Sequence, residues 1–183
     1  AFLAAETCEY RRHFLYFHPR VIVLTNVEAD HLDYFRDEAD VRSAFGEFCD
    51  RLPADGVLLF CGDDAGATAV ADGLRRRRPE VAVISYGFGA DCGVRVLPDT
   101  RVPGRFRLAV SSAGGEGGAA AAAEEGGAAA SAAGGAIDDA MVGLGGGEFS
   151  LRVPGLHNQL NATAALAVLS VMSEKGAPVS AGA

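Results

Sequence analysis

Short apolar runs alternate with amphipathic stretches over the first half of the chain. Residues 2–5 (FLAA), 21–24 (VIVL), 57–61 (VLLFC) and 81–85 (VAVIS) are each too short for a helix and bounded by polar or turn residues, so each reads as a buried strand. Between them, residues 41–52 (VRSAFGEFCDRL) place Val41, Ala44, Phe45, Phe48 and Leu52 at helical spacing, and Pro53 and Gly56 end that helix. Residues 65–78 fit a second helix. Asp63 or Asp64 is its N-cap, and Arg75 to Arg78 lie in its last turn, where cations suit the helix dipole. Strand, helix, strand, helix, strand with continuous apolar strands predicts a parallel sheet covered on both faces.

The pattern then changes. CGVRVL (92–97), RFRLAV (105–110) and EFSLRV (148–153) alternate more strictly and are separated by turns, which predicts a small antiparallel sheet. Residues 111–147 are mostly Ala and Gly with a few acids and little to bury before Met141. They read as a flexible surface insertion, with 119–125 at most transiently helical. Residues 157–175 predict a final apolar helix, entered through Pro154-Gly155 and closed by Gly176. The expected class is α/β: a mostly parallel sheet flanked by helices, with the antiparallel patch beside it.

Composition narrows the function. The chain has 183 residues, 49% of them hydrophobic, which suffices for one good-sized core. A net charge of −8 argues against generic nucleic-acid binding, because phosphate contacts need a basic face. It leaves room for a nucleotide held through a metal and backbone amides. No apolar run approaches the ~20 residues of a membrane span, and the start, AFLAAETCEY, lacks the basic lead of a signal peptide. The four cysteines, Cys8, Cys49, Cys61 and Cys92, form no CxxC pair and read as reduced thiols, which favours a cytoplasmic protein. The first residue is Ala1, and AFLAAE reads as a strand in progress, so the chain reads as a piece of a longer protein.

Candidate chemistry gathers at strand ends. In open parallel sheets, ligands sit beyond the carboxyl ends of the strands. Glu6 follows the first run, and Asp30 and His31 follow the second, in TNVEADHLDYF (25–35). If those strands are neighbours, the Glu6 carboxylate and the His31 imidazole converge and offer a site for Mg²⁺ or Mn²⁺ beside a phosphate. The plainer alternative is that Asp30 caps the next segment and His31 packs against Tyr34. In HNQLN (157–161), Asn158 and Asn161 share a helix face, and a carboxamide matches the donor and acceptor edge of adenine. The alternative is helix capping by Asn158 with Asn161 solvated. CGDD (61–64) reads as a turn with an N-cap rather than a metal site, RRRR (75–78) as a solvated helix end, and His13 and His18 as surface or core residues. There is no Walker-type GxxxxGK[ST].

Taken together, ETCEYRRHFLYFHPRVIVLTNVEADHLDYF (6–35), AFGEFCDRLP (44–53) and VPGLHNQLNATAALAV (153–168), in that order and with 25 residues from Glu6 to His31, resemble the central domain of the Mur ligases. The resemblance covers nearly the whole chain outside the Ala/Gly insertion. It implies a P-loop NTPase-like central domain, here partial. The family's Gly-Thr-x-Gly-Lys-Thr loop would lie before Ala1, and its C-terminal domain, with further ATP and amino-acid contacts, after Ala183. It implies an ATP-dependent amide ligase of peptidoglycan synthesis, with L-alanine and UDP-N-acetylmuramate as substrates, an acyl phosphate intermediate, and ATP and Mg²⁺ (or Mn²⁺) as cofactors. By position, Glu6 and His31 match the family's metal ligands, Asn158 and Asn161 its adenine contacts, and His157 lies near the base. As an isolated chain it is then expected to be inactive. Two readings stay open beside it: a related ligase taking a tripeptide or glutamate, and a non-catalytic nucleotide-binding domain. The chain departs from the family's common pattern in Thr7-Cys8-Glu9-Tyr10-Arg11-Arg12-His13 and at Leu156.

Overall fold

The computed structural model describes residues 2–31, 33–111 and 143–174. The chain divides into two compact units, residues 1–83 and 84–183.

The first unit holds β1 (Val21–Leu24), α1 (Glu38–Cys49), β2 (Val57–Cys61), α2 (Ala65–Arg77) and the start of β3 (Ala82–Gly87). β1 and β2 are parallel, with Val21 opposite Val57 and Leu24 opposite Phe60. All five positions of β2 are buried, as the unbroken apolar run predicts. Alternate residues Ile22, Leu24, Leu58 and Phe60 enter one core with Val41, Ala44 and Phe48 of α1 and Ala67, Val70, Ala71 and Leu74 of α2. α1 begins three residues before the apolar spacing predicts, because Asp37 caps it by accepting the Asp40 N–H at 2.9 Å.

Of the two candidate caps for α2, Asp64 is used: its Oδ1 accepts the Ala67 N–H at 2.6 Å. The same oxygen accepts the Val27 N–H at 3.0 Å. One carboxylate therefore starts α2 and ties the segment after β1 to it. CGDD is a capped turn, as expected. Arg75, Arg77 and Arg78 pair at the surface with Asp72, Asp50 and Glu80.

Residues 2–5 correct an expectation. They form no strand, and Phe2 and Leu3 are 63% and 86% exposed. A strand needs a partner in hydrogen-bonding reach, and no described residue pairs with this segment. Instead the chain enters a 3₁₀ segment, Tyr10–Tyr16, that the apolar spacing does not announce. Phe14 anchors it: the ring is 1% exposed, stacks on Phe48 at 4.7 Å and meets Phe45 edge-on at 5.3 Å. Arg12 donates to Glu47 at 2.6 Å and to Asp40 at 3.2 Å on α1. The Glu47 hydrogen bond pushes the Arg12 guanidinium above its ordinary pKa. Hydrogen bonds from Arg36 hold the Asp40 carboxyl below the usual range. These contacts hold Arg11 and Arg12 in left-handed backbone, φ +52° and +58°, which costs roughly 1–2 kcal/mol per residue.

In the second unit, β3 runs parallel to β4 (Val94–Pro98), and β4, β5 (Arg105–Val110) and β6 (Glu148–Ser150) form the expected antiparallel patch. α3 (Leu156–Glu174) packs on β4 and buries Gln159, Thr163, Ala164, Ala167 and Val171 at helical spacing. Across both units the class is α/β, with parallel strand pairs and an antiparallel meander. Among the described residues no helix is long and apolar enough to cross a membrane. Most of the expected insertion at 111–147, and the expected helix end at 175 and 176, lie outside the described residues.

Candidate functional site

β1 ends at Leu24, and the chain beyond it is pinned by two buried side chains, Val27 and Phe35, at 3% and 1% exposure. Between them the backbone turns at His31, whose φ is +53°. That left-handed conformation is uncommon for a residue other than glycine, and three hydrogen bonds hold it here. Asp30 Oδ1 accepts the His31 N–H at 2.6 Å, and the His31 carbonyl accepts the N–H groups of Tyr34 and Phe35 at 2.8 and 3.0 Å. So Asp30 does act locally, by fixing the backbone of His31.

The segment that enters the 3₁₀ turn folds against this loop. The Tyr10 ring lies 4.9 Å from the His31 ring and 5.9 Å from Tyr34, and the Tyr10 hydroxyl donates to Asp33 at 3.3 Å. The expected alternative of His31 packing on Tyr34 is therefore replaced by His31 packing on Tyr10. Glu9 Oε1 is 3.5 Å from His31 Nε2, and Cys8 Sγ is 3.9 Å from the same nitrogen. The three ligand-type atoms lie within 4.8 Å of one another.

Glu6 is exposed and makes no hydrogen bond or ion pair with a described residue. The acid in contact with His31 is Glu9, three residues further on. Glu6 and His31 thus make no direct contact among the described residues, and the strand end expected to carry Glu6 is not formed.

In the second unit, Asn158 and Asn161 lie in the first turns of α3. The Asn158 amide donates to the Pro154 carbonyl at 2.9 Å, which ties the helix start to the turn before it. Asn161 is exposed and makes no hydrogen bond with a described residue, so both its donor and acceptor are available to a base edge. His157 is exposed in the same turn. Between them, Gln159 is 4% exposed, and its Oε1 has no partner among the described residues. Thr163, also buried, donates to the Gln159 carbonyl at 2.7 Å.

Cys8, Glu9 and Tyr10 are the site residues that motif reasoning passed over. The signal was present in ETCEY, which sets a thiol, a carboxylate and a ring in succession, but only the fold brings them to His31. Of the four thiols, Cys8 is exposed while Cys49, Cys61 and Cys92 are buried. Burial pushes the Cys49 thiol up to about 12, and the Cys61 thiol upward as well. Thiolate is the reacting species, so iodoacetamide at neutral pH is expected to label Cys8 first and leave Cys49 unmodified in the native chain. Peptide mass mapping checks this, and equal labelling of Cys8 and Cys49 contradicts it.

Comparison with known proteins matches residues 3–169 to the Mur ligase middle domain. The UDP-N-acetylmuramate–L-alanine ligase of Treponema pallidum is 36% identical over 178 residues, which is 95% of this chain and 30% of the relative. The ligase of the same name from Arthrobacter sp. is 37% identical over 166 residues, 90% of this chain and 28% of the relative. The chain thus spans under a third of these relatives' length. Among solved structures, the UDP-N-acetylmuramate:L-alanyl-gamma-D-glutamyl-meso-diaminopimelate ligase from Neisseria meningitides matches with a TM-score of 0.56 at 19% identity, covering 89% of this chain and 38% of that one. MurF from Acinetobacter baumannii matches with a TM-score of 0.55 at 19% identity, covering 91% and 30%. These structural likenesses are ones of fold.

Proposed function

The chain belongs to the Mur ligase family, as a middle domain, and from this premise we propose that it is the central ATP-binding part of a cytoplasmic ligase joining L-alanine to UDP-N-acetylmuramate in peptidoglycan precursor synthesis. The observation that carries the reading is the 36–37% identity to ligases of that name over 90–95% of this chain. In the reaction, the sugar-nucleotide carboxylate attacks the γ-phosphorus of ATP, and ADP leaves. The L-alanine amine then attacks the acyl carbon of the acyl phosphate, the C–N bond forms as phosphate departs, and the amine gives up a proton. Two anions must meet in the first step, so charge neutralisation is the central task.

Within this chain, Glu6 and His31 are the proposed ligands of Mg²⁺ or Mn²⁺. When bound, the cation screens the phosphate charge against the incoming carboxylate. Asp30, Tyr10 and the burial of Val27 and Phe35 orient His31. Asn161 and Asn158 read the adenine edge, with His157 beside the base. The lysine-bearing phosphate loop and the acceptor site belong to the other parts of the proposed full-length ligase.

The test uses the full-length protein. ATP hydrolysis is expected only with UDP-N-acetylmuramate and L-alanine together, and chain 1–183 alone is expected to be inactive. Turnover with a tripeptide or with glutamate in place of L-alanine overturns the substrate assignment. Absence of turnover with every acceptor points to the non-catalytic alternative.

A further inference from the structure

Cys8, Glu9 and His31 come from two separate segments, yet they present a sulfur, an oxygen and a nitrogen within 4.8 Å of one another. We propose that these three side chains form a site for a thiophilic divalent cation of the zinc class, which shares His31 with the proposed Glu6–His31 pair but takes its other donors from Cys8 and Glu9. Zinc bonds of about 2.0–2.3 Å at tetrahedral angles space neighbouring ligand atoms roughly 3.3–3.6 Å apart. Glu9 Oε1 and His31 Nε2 already stand at 3.5 Å, and Cys8 Sγ and His31 Nε2 at 3.9 Å. The widest separation in the trio is at most 4.8 Å, and rotation of the exposed Cys8 side chain about χ1 is what brings the sulfur in by up to about 1.3 Å. Three protein donors leave a fourth position to water.

Several features favour an ion here over three casual neighbours. The Tyr10 N–H donates to Cys8 Sγ at 3.4 Å, which places the sulfur beside the imidazole. The imidazole is held from two sides, by the Tyr10 ring and by the hydrogen-bonded backbone turn. The side chains of His31 and Glu9 are 33% and 21% exposed, so the site opens to solvent and an ion can enter. Sulfur decides the class: Mg²⁺ and Ca²⁺ take oxygen ligands, whereas thiolate with imidazole selects zinc and its neighbours. As the metal–sulfur bond forms, the Cys8 thiol releases its proton to solvent. His31 Nε2 cannot serve two cations, so occupancy of this site competes with a Glu6–His31 cation that uses the same nitrogen.

The test titrates the full-length protein with Co²⁺ as an optical stand-in for zinc. A sulfur-to-cobalt charge-transfer band in the near ultraviolet, saturating at one equivalent, is expected in the wild type and absent in Cys8→Ser. Zn²⁺ affinity, read by competition with a chelator, is expected to fall about tenfold or more in Cys8→Ser and Glu9→Gln, and a change within about twofold in both overturns the site. Zn²⁺ is also expected to protect Cys8 from iodoacetamide. No band in the wild type, or a band that survives Cys8→Ser, overturns it as well. Glu6→Gln keeps this inference apart from the ligase reading: it is expected to weaken Mn²⁺ binding and to retain the cobalt–sulfur band. Loss of the band in Glu6→Gln contradicts the donor set proposed here.

Discussion

Replacing Gly66 by alanine is expected to destabilise the fold by about 3 kcal/mol or more, because the new methyl group has nowhere to go. A Cβ at this position falls 2.0 Å from the Val27 carbonyl oxygen and 3.0 Å from the Val27 carbonyl carbon and Cβ. Both sides of that contact are backbone, so neither relieves it by changing a rotamer. For a chain of this size the loss corresponds to a fall in melting temperature of roughly 6–12 °C. Gly73 on the same helix supplies the control. A Cβ there meets only Arg77 Nη1, at 3.0 Å, the far end of a flexible side chain. Gly73→Ala is therefore expected to be neutral or stabilising, by up to about 1 kcal/mol through helix propensity. Thermal melts of the two variants beside wild type decide the matter, and equal effects contradict the packing argument. Because Val27 is the first anchor of the loop that carries His31, Gly66→Ala is also expected to weaken Mn²⁺ binding, although residue 66 itself presents no ligand.

The second large effect concerns the proposed cation pair. In the full-length protein, Glu6→Ala and His31→Ala are each expected to lower kcat/KM for ligation by about 100-fold or more. On the proposed reading, each removes a donor for the cation that would lie between the carboxylate and the phosphate. Asn161→Ala is expected to act differently, raising the KM for ATP with a smaller effect on kcat, since a base contact contributes equally to ground and transition states. Steady-state kinetics at saturating and limiting Mn²⁺ separate these patterns. Wild-type kinetics in Glu6→Ala contradict its role as a ligand and leave Glu9, the acid already in contact with His31, as the partner to examine.

The contrast between Glu6 and Glu9 shows what was legible from residue order and what was not. The apolar runs at 21–24 and 57–61 became β1 and β2 because a short, unbroken hydrophobic segment between polar turns has few other ways to bury itself. Asp64 was legible as a cap because an acid just before a helical run has a local partner in the next turn. Residues 2–5 carried the same apolar signal as β1 and still form no strand, since hydrophobicity says what a segment can bury and not whether a neighbour is in reach. The 3₁₀ segment went unread for a different reason. Arg11, Arg12 and His31 adopt left-handed backbone with no glycine to announce it, and the bonds that hold them run to α1 and to the following loop. Read as the end of a first strand, Glu6 is the acid expected to meet His31, but that strand is not formed. The tight turn after Tyr10 brings Cys8 and Glu9 to His31, and only long-range contacts could reveal that.

The ring of Tyr10 resting on His31 has a spectroscopic consequence. The chain contains four tyrosines and no tryptophan, so its ultraviolet emission comes from phenol groups without an indole to mask them. Tyr10 touches the imidazole at 4.9 Å and has its hydroxyl on Asp33. Any event that recharges, rotates or sequesters that imidazole alters the quenching of one fluorophore in four. The domain thereby carries a built-in lamp beside His31, and the state of that side chain can be followed in real time without a label.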